Sequence, residues 1–403
     1  MPDVFQPTKR AGYYPNAHGT KPKAFKGFNL PNSIYSLVFQ PLPRDCGLKM
    51  KKDGPHSVSG TFLACNSEVL SLIPCDAKRV PNARFDRVPK LYMKQSLLFS
   101  LLYATLVFSS HLTSANEPSG SLTDARRNFK TVLVARPAPR DPVDRPPIGS
   151  FNLINYKAPG GNYPAYVSPN PGDGKKHPAI LWIAGGDCNS IGNVWSAAPR
   201  NNDQTAAAYR KAGIIMMFPS LRGGNLNPGA KEGFFGEVDD VLAASVYLEK
   251  LSYVDTNHIY LGGHSTGGTL ALLVSECSDR FRTVFSFGPV DDVTGYGPDS
   301  SFLPFKVTDK KETFLRSPGY WLDSIKSPVW VFEGSSGNTE CLRTMAKTSK
   351  NAQIHFIEVP GATHFTILAP LNELIARKIL QDSANTNNIS FTKEEVINTF
   401  SKR

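Results

Sequence analysis

Ser265 stands in the pentapeptide Gly263-His264-Ser265-Thr266-Gly267, between an apolar run that begins at His258 and an Ala/Leu-rich run that ends at Leu273. A serine hydroxyl is a poor nucleophile at neutral pH. It needs an exposed perch, a base within hydrogen-bond reach and backbone donors for the developing oxyanion. A G-x-S-x-G at a strand-to-helix bend supplies the perch, because residues two before and two after the serine must be small where the chain folds back on itself. A simple Gly/Ser turn is the plain alternative; the strand pattern before the serine and the helical pattern after it favour the nucleophile.

The remaining parts follow from what that chemistry requires. A base is offered by His364 in Val359-Pro360-Gly361-Ala362-Thr363-His364-Phe365, after the last strand pattern of the chain and downstream of the serine. His264, beside the serine, is expected to point elsewhere and to pack or hydrogen-bond locally. Two backbone N–H groups are needed for the oxyanion: Thr266 should give one, and the turn Gly185-Gly186-Asp187 should give the other from Gly186 or Asp187. The acid that orients the base is left open. It is expected a few residues past the strand at 329–332, where Gly337 stands in the place of an aspartate; Glu333 is the first candidate, and Asp291 or Asp292 the alternatives.

These residues need a sheet to hold them. Strand patterns fall at 151–156, 163–167, 177–184, 213–218, 283–287, 328–332 and 354–359, besides the run leading to the serine. Helical patterns fall near 204–212, 237–251, 319–325, 339–347 and 370–381, with an irregular, cap-like stretch at 291–311. Strands alternating with helices predict an α/β class domain at 151–381, a mostly parallel sheet of about eight strands with helices on both faces.

Six motifs stand in order along this region: Ile183-Ala184-Gly185-Gly186, Pro219-Ser220-Leu221-Arg222-Gly223-Gly224, Gly236-Glu237-Val238-Asp239-Asp240-Val241, Gly263-His264-Ser265-Thr266-Gly267-Gly268, Arg316-Ser317-Pro318 and Gly361-Ala362-Thr363-His364. Together they resemble the catalytic domain of the prolyl oligopeptidase family. The resemblance covers a little over half the chain. It implies a serine hydrolase of the α/β-hydrolase fold with Ser265 as nucleophile and His364 as base, acting on a small ester or a short peptide without metal or cofactor. Two departures accompany it: the aspartate expected near 337 is missing, and the stretch before the sheet is too short for the family's propeller domain. The missing aspartate supports a second class of reading, a catalytically weakened α/β-hydrolase that serves as a binding protein.

Charge and composition bound the rest. The net charge of +11 is concentrated in residues 1–92, where 14 Lys/Arg face 6 Asp/Glu, so residues 93–403 are nearly neutral. A nucleic-acid partner is not expected for that part. Residues 93–115 read as a secretory signal peptide, with Met93-Lys94 before an apolar core and Thr113-Ser114-Ala115 as a cleavage site. This predicts a secreted or periplasmic protein with no stable membrane span after cleavage. Residues 1–92 are then a low-order basic extension, read as a translated upstream region outside the natural protein, with a disordered basic arm that binds polyanions as the alternative; 116–150 is a Pro-rich linker, and 382–403 a polar tail with a short helix opened by Thr392 and Glu395. Cys188, Cys277 and Cys341 form no CxxC pair and no zinc spacing, and at least one of these three thiols must be free.

Overall fold

The computed structural model describes residues 120–136, 141–297, 302–382 and 385–401. The extension 1–92 and the signal segment 93–115 lie outside the described residues. Among the described residues, no helix is long and apolar enough to cross a membrane.

Eight strands form one sheet: β1 (Asn152–Ala158), β2 (Gly161–Val167), β3 (His177–Ile183), β4 (Ile215–Pro219), β5 (Val254–His264), β6 (Val284–Phe287), β7 (Val329–Ser336) and β8 (Ile354–Thr363). Their order is β1-β2-β4-β3-β5-β6-β7-β8. β1 and β2 pair antiparallel as a hairpin, β2 joins β4 antiparallel, and every pairing from β4 to β8 is parallel. This is the α/β-hydrolase fold.

Side-chain alternation along the strands builds a core on each face. On β3, Ala179, Leu181 and Ile183 enter one cluster, and Ile180 and Trp182 enter the other. The first face is covered by α3 (Glu237–Glu249), α4 (Thr266–Cys277) and α6 (Thr339–Thr348), the second by α2 (Ala207–Lys211) and α7 (Leu368–Gln381). Leu270 to Val274 of α4 are wholly buried. A helix apolar on all sides is one sunk in a core, and each such leucine or valine stabilises the fold by about 1.5–3 kcal/mol. That burial keeps the residue at the start of α4 from moving relative to the sheet.

Several elements differ from the sequence expectation. The helix expected at 319–325 is two 3-10 turns, Pro318–Tyr320 and Leu322–Ser324. Trp321 breaks it: its ring is buried and its indole N–H donates to the Phe314 carbonyl at 2.8 Å, with the backbone at φ −125°. A helix that was not expected, α5 (Lys310–Phe314), begins inside the stretch expected to be irregular and is opened by Asp309, whose side chain accepts from the Lys311 and Glu312 amides. Strands β7 and β8 run past the expected ends to Ser336 and Thr363, which are paired.

The segments flanking the sheet are packed against it. α1 (Leu122–Arg126) buries Leu122, and the Arg126 guanidinium lies 4.5 Å from the Phe235 ring centroid while donating to the Phe235 carbonyl at 2.9 Å. Further along, the Val132 amide donates to Glu312 Oε1 at 2.7 Å. At the other end, Ile389, Phe391 and Val396 are buried in the second core with Phe285, Trp330 and Phe332, and Thr392 caps α8 (Lys393–Ser401) by accepting from the Glu395 amide. The tail therefore completes a face of the sheet.

Candidate active site

Ser265 is at the bend between β5 and α4 with φ 55° and ψ −117°, a backbone conformation that costs a non-glycine residue on the order of 1–3 kcal/mol and persists only where the surroundings impose it. They do so here. A Cβ on Gly263 would lie 2.3 Å from the Gly267 carbonyl oxygen, and one on Gly267 would lie 2.2 Å from that of Ile183. The Ser265 amide donates to the Phe287 carbonyl at 2.7 Å, fixing the bend to β6.

His364 follows β8 directly. Its Nδ1 donates to Glu333 Oε2 at 2.8 Å. Glu333 is fully buried within β7, and both carboxylate oxygens are met by donors: Oε1 by the Gly334 amide at 2.7 Å, Oε2 also by the Asn338 amide at 2.8 Å. This arrangement explains the glycine that stands in the aspartate's place. A Cβ on Gly337 would lie 2.4 Å from Glu333 Oε1, so the longer carboxylate reaching out from the strand occupies the room a loop aspartate would take. Gly288 is shaped by the same pair. At φ +59°, its Cβ would sit 2.4 Å from His364 Cε1 and 2.7 Å from Glu333 Oε2. Gly288 was not among the sequence candidates; its only sequence sign is a Gly-Pro step just after a strand.

The alternative acids are engaged elsewhere. Asp292 caps the 3-10 turn Val293–Tyr296 by accepting from the Thr294 amide at 2.9 Å, and accepts from the Tyr320 hydroxyl at 3.1 Å. The Asp291 carboxylate is hydrogen-bonded to the Cys341 thiol. The carboxylate bonded to His364 is that of Glu333.

His264 departs from the expectation of purely local contacts. It is wholly buried, with Nε2 donating to the His364 carbonyl at 2.9 Å and Nδ1 accepting from Gln204 Nε2 at 2.8 Å. Because Gln204 Oε1 accepts from the Gly185 amide at 3.0 Å, its NH2 is the donor to His264, which fixes the imidazole tautomer. One side chain thus joins the serine bend, the base loop and the Gly185 turn. Burial first, and then the neighbouring His364, lowers the His264 pKa from 6.5 to about 3. A folded value below the unfolded one means that the unfolded chain binds the extra proton as pH falls. The contribution of neutral His264 is therefore complete above about pH 6.5 and is lost progressively toward pH 3. The stability advantage of the wild type over His264→Gln, measured by urea unfolding, should shrink as pH is lowered from ~7 to ~4; a constant difference would show that this imidazole is not held neutral.

The turn after β3 faces the serine bend. Thr266 Oγ1 donates to the Gly186 carbonyl at 2.9 Å, clamping turn to bend, and Gly186 has φ +77°. Thr266 is the first residue of α4, where the amide has no partner within the helix and the helix dipole is positive. The Gly185 amide is committed to Gln204 and the Cys188 amide to the Gly186 carbonyl. Asp187 is ion-paired with Lys231 at 2.5 Å. Cys188 is buried, and desolvation above all pushes its thiol up to about 12, which keeps it protonated and unreactive. Cys188, Cys277 and Cys341 are all free thiols.

Residues 201–325 match the model of the prolyl oligopeptidase family. The resemblance carried by the motifs is borne out over that span, which holds the Ser265 bend and ends before Glu333 and His364. No curated protein matches the sequence. Solved structures similar to the chain include a putative dipeptidyl aminopeptidase IV from Bacteroides ovatus, at 18% identity and TM-score 0.46, covering 58% of this chain and 36% of that one. Dipeptidyl peptidase 4 from Porphyromonas gingivalis is similar at 16% identity and TM-score 0.46, over 57% of this chain and 35% of that one. The acylaminoacyl peptidase of Pyrococcus horikoshii shares 14% identity at TM-score 0.47, over 62% and 44%. The chain spans less than half the length of each of these.

Proposed function

We propose that this chain is a serine hydrolase that cleaves the acyl bond of a small ester or short peptide through an acyl-enzyme on Ser265. The observation that carries the reading is the bond from His364 Nδ1 to the buried Glu333 carboxylate, in a loop tied to the serine bend through His264. With Nδ1 protonated, Nε2 presents a lone pair as general base. Ser265 Oγ attacks the acyl carbon as its proton passes to His364 Nε2, and the negative charge on the carbonyl oxygen is taken by the Thr266 amide and by those of Gly186 or Asp187. The intermediate collapses, His364 gives the proton to the leaving alcohol or amine, and water activated by the same imidazole releases the acid. Glu333 holds the tautomer and balances the imidazolium.

The family match over 201–325 favours a peptide or aminoacyl substrate over a simple ester. A purely binding role was motivated by the want of an acid, and Glu333 supplies one. In this reading the segment 93–115 directs the protein out of the cytoplasm. Initial rates on aminoacyl nitroanilides and on short-chain nitrophenyl esters test the function: turnover of the former at least as efficient as the latter is expected, and folded protein that turns over neither contradicts it.

A further inference from the structure

Lys231 Nζ lies 2.5 Å from Asp187 Oδ1, and each side chain is 8% exposed. Asp187 directly follows Gly186 in the turn that supplies the oxyanion donors, so a buried carboxylate stands one residue from the place where negative charge develops. Removing charges from water costs several kcal/mol unless each is well partnered.

Lys231 is held in position from both sides. Its backbone is pressed against the turn at Gly223, where a Cβ would lie 2.3 Å from the Lys231 nitrogen. The next residue, Glu232, donates its amide to Glu237 Oε1 at 2.7 Å, pairs through Oε1 with Arg222 at 2.7 Å, and accepts at its carbonyl from Arg316 Nε at 3.0 Å. The turn itself is bound to the same framework. Asn189 Nδ2 donates to the Arg222 carbonyl at 2.8 Å and to Glu237 Oε1 at 3.0 Å, and the Asn189 carbonyl accepts from the Leu221 amide at 2.7 Å. Arg222 is anchored by two bonds to the buried Asp240 carboxylate, each 2.8 Å. Arg222 and Glu237 thus carry both segments, and the ion pair closes the gap between them.

Resting on the reading of Gly186 and Asp187 as oxyanion donors, we infer that Lys231 is a positioning residue for the hydrolysis. Its ammonium holds the Asp187 side chain, and with it the direction of the turn's amides. Its charge also offsets a carboxylate that would otherwise oppose the oxyanion in a low-dielectric site, where charges interact far more strongly than in water. An apolar pair of the same bulk would fill the space equally well, so the charge is the testable part.

The test compares Lys231→Met, Asp187→Asn and the double variant in kcat and KM on one ester substrate, with thermal unfolding alongside. Lys231→Met should lower kcat by about 10–100-fold with KM within about threefold, because the loss falls on a charge that forms only in the transition state. The double variant, with no carboxylate left to oppose the oxyanion, should regain the charge part of that loss and be about 3–10-fold more active in kcat than Lys231→Met. Wild-type kcat in folded Lys231→Met overturns the inference. So does a double variant that is no more active than the single one, or that does not fold. Failure of the hydrolase reading is separate: there, the wild type itself would show no turnover and no labelling at Ser265.

Discussion

His364→Ala should lower kcat by about 10⁶-fold with little change in KM, since the base acts on the transition state and contributes little to ground-state binding. The structure predicts more than loss of a proton acceptor. The Glu333 carboxylate, fully buried, would keep its two backbone donors but lose the imidazole. The carbonyl that accepts from His264 belongs to the backbone of residue 364 and survives the substitution, so the bend and the base loop should stay joined. The variant should therefore fold normally by circular dichroism. Residual turnover within about tenfold of wild type would remove His364 from the proposed mechanism.

Glu333→Gln should cost roughly 10²–10⁴-fold in kcat. Every hydrogen-bond partner of this carboxylate among the described residues is a donor: the Gly334 and Asn338 amides and His364 Nδ1. A glutamine amide must aim its NH2 at one of them. If it faces Gly334, two donors meet in a buried site. If it faces His364, the imidazole is driven to the tautomer that carries hydrogen on Nε2, and the lone pair that the proposed general base needs there is lost. Kinetics on the same substrate as for wild type, at matched pH, check this; an unchanged kcat would mean that the Glu333 bond is structural only.

The sheet and the bend were legible because their signals are local. Alternation on β3 and β7 and the glycines at 263 and 267 follow from strand geometry and close contact, which any stretch of sequence displays. Choosing the acid was not a local matter. In the sequence Glu333, Asp291 and Asp292 all stand near the ends of strand patterns, and only the side-by-side placement of β7 and β8 brings the first to His364. The Gly337 signal was visible but ambiguous, since a missing aspartate and room made for a longer acid look the same in sequence. The role of His264 was hidden for a related reason: its partners, Gln204 and the His364 carbonyl, are distant in the chain and meet only at the ends of the strands. How the flanks pack was not legible either, because polar composition hides the few residues that dock. Arg126 is buried by stacking on Phe235, and the tail needs only Ile389, Phe391 and Val396 to dock. Similarly, Trp321 outweighs the helical pattern around it by burying its ring.

The proposed chemistry depends on Ser265 being a nucleophile activated by its surroundings. Incubation of the whole protein with a fluorophosphonate, followed by intact-mass and peptide mass spectrometry, reads this directly. One phosphonyl adduct is expected, on the peptide containing Ser265, absent from Ser265→Ala and strongly slowed in His364→Ala. A folded protein that takes up no label, or one whose label persists at another residue in Ser265→Ala, would contradict it.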